Sequence, residues 1–209
     1  MEDKDVYLKF KRHRKWHNKL WLSEELGYDC GPGGTAPNTS QWYIVRPIMN
    51  LRGMGLDARK VFIDSGDTKK VGPGEFWCEW FEGAQYSVEF ERSKSRWSQS
   101  SCYRAERDVN DLTRFSKWVR YEHKIFTLSS MFDELLNDFD LINVEYIDDL
   151  PIEVHLRKSP DPKYNEIIPI WSDCEQAIDI YTKMGYNYIE SKDDCDGLLK
   201  IYRKGFMVK

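Results

Sequence analysis

Residues 141–157 read LINVEYIDDLPIEVHLR, with apolar and polar side chains alternating on both sides of a central turn. That is the pattern of a β-hairpin with one apolar face. In the second arm Ile152, Val154 and Leu156 point one way while Glu153, His155 and Arg157 point the other; in the first, Val144 and Tyr146 oppose Asn143 and Glu145. A loop at 148–150 that pairs Ile147 with Pro151 puts Glu145 across from Glu153, with side-chain roots about 5 Å apart. Facing carboxylates repel. A sheet tolerates them best with a cation between them, and hard divalent ions such as magnesium take carboxylate oxygens together with substrate phosphates. The plainer alternative is a solvated face on which Arg157 neutralises Glu145 or Glu153.

With 209 residues, 41% hydrophobic and 32% charged, the chain suits one globular domain or a domain with a small extension. Eight Trp, twelve Tyr and ten Phe supply large areas to bury, which argues against disorder. No apolar run approaches the roughly 20 residues that span a bilayer, and the amino terminus lacks a signal-peptide core. A soluble cytoplasmic protein is expected (host cytoplasm for a viral chain), with no membrane partner. Cys30, Cys78, Cys102, Cys174 and Cys195 are scattered and odd in number, which fits reduced thiols and gives no zinc spacing. The net charge of −4 disfavours nucleic acid. One basic run, KFKRHRKWHNK at 9–19, is read as a helix start with a solvated face in preference to a phosphate-binding strip.

Along the chain, 19–26 suits a short helix ended by Gly27, 30–40 is a loop, and Trp42 to Ile48 is a strand. A glycine turn at Gly53 and Gly55 leads into a strand within 56–63. Two strand-like runs fill 75–91, broken at Glu82 and Gly83, and 92–108 is polar, either an excursion or a surface strand. Helical spacing predicts helices at 110–119 and 129–139. A proline-set loop at 158–165 brings Asp161 and Asn165 near the polar hairpin face. A strand at 167–171 follows, then a helix capped by Ser172 and Asp173 and ended by Gly185, and closing strands at 186–189 and 198–202. The expected divisions are a basic, helical segment (1–40), a small lobe (41–92), a large lobe carrying the hairpin (93–171) and a C-terminal extension (172–209).

Four pieces in order resemble the ATP-grasp superfamily. His17-Asn18-Lys19-Leu20 is similar to its helix start, whose lysine reaches the ATP phosphates. Tyr43-Ile44-Val45-Arg46-Pro47, followed by Gly53-Met54-Gly55, is similar to its phosphate-binding strand and glycine-rich lid, with Arg46 where lysine is usual. Residues 77–88, including Glu79, Trp80, Phe81 and Gln85, resemble the hinge that holds adenine by its backbone and the strand that contacts ribose; Gln85 stands where Glu is common. Glu145 and Glu153, then His155 and Arg157, resemble the family's metal and phosphate site, with His155 in place of Asn.

The resemblance implies an α+β, ATP-grasp-like fold, two lobes of antiparallel sheet packed with helices around a nucleotide cleft. It further implies ATP and Mg²⁺ (or Mn²⁺) as cofactors and a ligase that joins a carboxylate to an amine through an acylphosphate, on small-molecule or peptide substrates. In that scheme Lys19, Arg46, Gly53, Gly55, Glu79, Trp80, Phe81 and Gln85 bind the nucleotide. Glu145, Glu153 and His155 hold the metal, and Arg157 and Arg46 serve catalysis. Imidazole in place of an amide oxygen favours manganese or a water-bridged role. A non-catalytic nucleotide-binding or structural relative is the alternative, on the strength of Arg46, Gln85 and His155. The family usually carries an α/β domain ahead of the lysine helix, where this chain has fewer than twenty residues, so the acceptor site falls to 92–128, to 172–209 or to a partner. Oligomerisation stays open.

Overall fold

The computed structural model describes residues 2–52, 55–107, 112 and 114–209. Two antiparallel sheets organise them. The smaller runs β1-β4-β2-β3, formed by β1 (Cys30–Pro32), β2 (Gln41–Pro47), β3 (Arg59–Ile63) and β4 (Glu75–Glu79). The larger has eight strands in the order β11-β12-β10-β7-β6-β5-β8-β9. These are β5 (Gln85–Ser93), β6 (Arg96–Arg107), β7 (Phe115–Arg120), β8 (Leu141–Ile147), β9 (Leu150–His155), β10 (Glu166–Trp171), β11 (Asn187–Asp193) and β12 (Arg203–Val208). Thus β5 belongs to the large sheet rather than the small lobe, and 172–209 supplies two of that sheet's strands rather than an appendage.

The hairpin forms where its alternation places it. Asn143 pairs with His155, Val144 with Val154 and Glu145 with Glu153. Val144 and Val154 enter a core with Val88, Phe90, Ile142 and Leu156, each such side chain worth about 1.5–3 kcal/mol on burial. The loop differs from the expected 148–150: Ile147 pairs with Leu150, Tyr146 with Pro151, and the register shifts between Glu145 and Tyr146, leaving Ile152 as the extra residue of a bulge. Asp148 makes the shorter turn feasible by adopting φ 49°, a conformation Asp tolerates better than most residues.

Helices cover the other side of this core. α1 (Asp3–Lys9), a 3-10 helix (Lys11–His17) and α2 (Lys19–Glu25) come first, and Gly27 at φ +76° ends the last of them. The basic run keeps a solvated face, with Lys9, Lys11, Arg12 and Lys15 exposed, but its other side is packed and ion-paired. Trp16 is 2% exposed and donates to Glu134, which also pairs with Lys15 at 2.9 Å, while Arg12 and His13 both hold Asp138.

Other expectations change too. The segment 110–119 holds no helix over its described residues, because Phe115–Arg120 is β7, where aromatic and β-branched side chains suit a pleated surface; residues 108–111 and 113 lie outside the described residues. Only a 3-10 helix, Ser130–Leu135, forms within 129–139, burying Phe132 and Leu135 at i, i+3 spacing. The polar stretch after residue 92 is a hairpin into β6, in line with the surface-strand alternative. α3 (Ala177–Lys183) starts after Gln176, later than Ser172, and the final strand starts at Arg203, later than 198. Among the described residues no helix is long and apolar enough to cross a membrane.

Candidate nucleotide and metal site

A cleft of about 600 Å³ lies between the two sheets. Lys19, Arg46, the connection from β4 to β5, Glu145, Glu153, His155 and Arg157 all line it. Lys19 is placed by two local devices. Asn18 caps α2 by accepting from the Trp21 amide at 2.9 Å, and the Lys19 amide donates to the Ile48 carbonyl at the end of β2. The lysine side chain is then buried, with Nζ 2.7 Å from Glu153 Oε2.

Arg46 comes from β2 and crosses to the hairpin, where Nη2 donates to the Ile152 carbonyl at 3.0 Å. Its guanidinium lies over Phe76, and Nε is buried without a partner. Tyr28 makes a parallel link, its hydroxyl donating to the Pro151 carbonyl.

Between β4 and β5 the chain leaves both sheets. Trp80 carries Lys60 4.1 Å from its ring centre and donates to Glu82, and Phe81 packs edge-on against Tyr28. The Glu79 amide donates to the Asp29 carbonyl. Gly83 sits at φ +148°, with Asp148 so near that a Cβ would lie 2.3 Å from Oδ2. Asp148 Oδ1 also accepts from the Ala84 amide, which fixes the start of β5 to the hairpin turn. Of the glycine loop, Gly53 lies outside the described residues; Gly55, at φ 59°, lines the cleft.

Gln85 opens β5 and is buried. Its Nε2 donates to Glu145 Oε2 at 2.8 Å, and its Oε1 accepts from Arg107 at the end of β6. Burial and the facing Glu153 push the Glu145 carboxyl above its ordinary range. Glu153 goes the other way: burial opposes its ionisation, but Lys19, His155 and Arg46 outweigh it and hold the carboxyl low. The pair thus carries the like-charge repulsion that a divalent ion relieves. Among the described residues no three His, Cys, Asp or Glu side chains are grouped so as to hold a metal ion. An ion here would rest on few protein donors, and phosphate oxygens and water complete such shells; the carboxylates fit that kind of site.

Asp3 was not foreseen. Carried into the site by α1, it is 2% exposed. Its Oδ2 accepts from Arg157 Nη2 at 2.8 Å and lies 2.9 Å from His155 Nδ1, while Oδ1 is buried without a partner. His155 Nε2 faces Glu153 Oε1 at 3.6 Å. Burial works against charge on His155, yet its bond to Asp3 and the nearby Glu153 raise its pKa. Nothing in the local sequence signals this contact, because EDKD at 2–5 reads as a helix capping box and its partners lie some 150 residues away. Arg107, within the polar stretch, is the other residue sequence reasoning missed. Asp161 lines the cleft and meets Arg203 at 3.5 Å; Asn165 is exposed, and its carbonyl accepts from the Arg120 amide.

No protein-family model matches the sequence, and no curated protein matches it. Solved structures do. N5-carboxyaminoimidazole synthase from Aspergillus clavatus, in complex with ADP and an aminoimidazole ribonucleotide, superposes with TM-score 0.57 at 12% identity over 98% of this chain and 72% of that one. An L-amino acid ligase from Bacillus licheniformis and an ATP-grasp superfamily protein from Archaeoglobus fulgidus each give TM-score 0.46 at 13% identity, over 70% and 93% of this chain. The chain spans 42% and 64% of the length of those two proteins. The agreement with the Aspergillus synthase, at 12% identity, is one of fold. With its two antiparallel sheets and the cleft between them, the chain has the ATP-grasp fold.

Proposed function

We propose that this chain binds ATP with a divalent ion in the cleft and uses it to activate a carboxylate for capture by an amine. The observation that carries this reading is the Glu145–Glu153 pair, set face to face on the hairpin with Lys19 on one carboxylate and Arg46 and Arg157 in the same cleft. Adenine would lie against the connection at Glu79, Trp80 and Phe81, and Lys19 and Arg46 would take the phosphates. The ion, when bound at Glu145 and Glu153, supplies charge neutralisation on the phosphates. The substrate carboxylate oxygen then bonds to the γ-phosphorus as ADP leaves. The amine nitrogen next bonds to the acyl carbon while phosphate departs with the electron pair and the nitrogen's proton. Arg157 suits the acylphosphate, because its planar fork matches two phosphate oxygens.

Titration calorimetry with ATP and Mg²⁺ or Mn²⁺ tests the first step. Metal-dependent binding is expected, with at least a tenfold loss in Glu153→Ala; no binding, or equal binding by that variant, would overturn the reading. The second reading, a nucleotide-binding protein without catalysis, draws on the engagement of Arg46 by Ile152 and of Arg157 by Asp3. Metal-dependent ADP release on mixing with candidate carboxylates and amines separates the two, since it belongs to the ligase alone.

A further inference from the structure

Two of the five cysteines stand directly opposite each other in the small sheet, Cys30 on β1 across from Cys78 on β4. The hydrogen bonds on either side fix what kind of antiparallel pair this is. The Glu79 amide donates to the Asp29 carbonyl and the Gly33 amide to the Glu75 carbonyl, both at 2.9 Å. Bonded and non-bonded pairs alternate along such a ladder, so Cys30 and Cys78 form a non-bonded pair, the kind with Cα atoms about 4.5 Å apart and side chains closest. Pro32, facing Phe76, agrees: it has no amide hydrogen and takes the next non-bonded position. Disulfides span Cα separations of about 4.4–6.8 Å. The backbone therefore holds these two residues at a separation that a disulfide accepts.

Both thiols are free and face α2, where Ser23 lies within hydrogen-bonding reach of Cys78 and Glu24 lies near Cys30. Cys78 is buried and lines the cleft one residue ahead of Glu79, whereas Cys30 is partly exposed on a three-residue edge strand. Burial pushes the Cys30 thiol up to about 12 and the Cys78 thiol to about 11, so chance oxidation of either one is slow. Local opening of a short edge strand brings the pair within reach of a small oxidant.

We propose that Cys30 and Cys78 are a reversible oxidation site, which a low-molecular-weight disulfide such as glutathione disulfide converts into a cross-strand bond that pins β1 to the wall of the cleft. The Cys30 thiolate attacks one glutathione sulfur and expels a glutathione thiolate, which takes up a proton. The Cys78 thiolate then attacks the Cys30 sulfur, forming the Cys30–Cys78 bond and releasing the second glutathione. Two protein thiols are oxidised, one disulfide is reduced to two thiols, and a dithiol reductant reverses the exchange. The proposal does not depend on what the cleft binds.

The test incubates the folded full chain with glutathione disulfide at mildly alkaline pH, alkylates the remaining thiols and maps unreduced peptides by mass spectrometry. A peptide pair joined through Cys30 and Cys78 is expected, reversed by dithiothreitol, with a rise of roughly 1 M in the urea midpoint of the oxidised chain. Cys78→Ser should instead retain glutathione on Cys30, and Cys30→Ser should leave Cys78 unmodified. Exposed Cys174 takes up glutathione in all three chains and controls for the oxidant. No Cys30–Cys78 link in the folded chain, a link that forms only after unfolding in urea, or one that joins Cys78 to a different cysteine would overturn the proposal. A lower urea midpoint in the oxidised chain would overturn the pinning of β1.

Discussion

Gly83 sits where the small sheet passes the chain to the large one, and it is held at a backbone angle that side chains rarely adopt, with Asp148 in the space a Cβ would fill. Gly83→Ala therefore meets strain and a clash together and should cost about 1–3 kcal/mol. Gly27, also at positive φ but with open space around it, meets strain alone, about 1–2 kcal/mol in Gly27→Ala. Urea unfolding of both variants checks this; a Gly83→Ala cost below that of Gly27→Ala would contradict it. At the same scale the sequence was partly legible. The alternation of 141–157 brings Glu145 opposite Glu153, and the structure has that pair. Asp3 and Arg107 were illegible because a carboxylate in a helix start and an arginine in a polar strand look solvent-bound until the chain's distant parts meet them.

The N-terminal 3-10 helix is fastened to the 130–138 region by carboxylates, which makes its docking sensitive to acid. Hydrogen bonds from Arg12 and then His13 hold the Asp138 carboxyl below its ordinary 3.8. Burial works against ionisation of Glu134, but bonds from Lys15 and Trp16 keep its carboxyl below 4.5. A carboxyl depressed by folding contributes stability that is fully present above its unfolded value and is lost as pH falls through the folded one. Hydrogen-exchange protection of 11–17, taken relative to the intrinsic rate at each pH, should thus be high at neutral pH and fall below about pH 4, and Asp138→Asn should move that onset or weaken docking at all pH values. An onset unchanged by the substitution would sink the account. Element type was read well where one face is buried, as in β2, β8 and β9. It failed at β7, where the spacing of Phe115, Trp118 and Val119 fits a helix as well as a strand. Long-range pairing decided that case: Trp118 meets Ala105 on one side and Ile167 on the other.

Across the whole molecule, β12 closes the large sheet by running between β10 and β11, with Phe206, Met207 and Val208 at most 1% exposed. Phe206→Ala should cost about 3–5 kcal/mol, measured by thermal and urea unfolding; a loss under about 1 kcal/mol would mean the last strand is dispensable. The two sheets are joined more sparingly. Arg46 and Tyr28 reach across to the carbonyls of Ile152 and Pro151, at the bulge in β9. Proline has no amide hydrogen to give to a neighbouring strand, and the extra residue, Ile152, has no register partner on β8. The irregularity thus works as a spacer: it frees a carbonyl for the opposite lobe one residue ahead of Glu153. Deleting Ile152 would straighten the strand, remove the Arg46 anchor and reset the distance between Arg46 and Glu153 in one stroke. One inserted residue thus sets where the small sheet's arginine meets the hairpin.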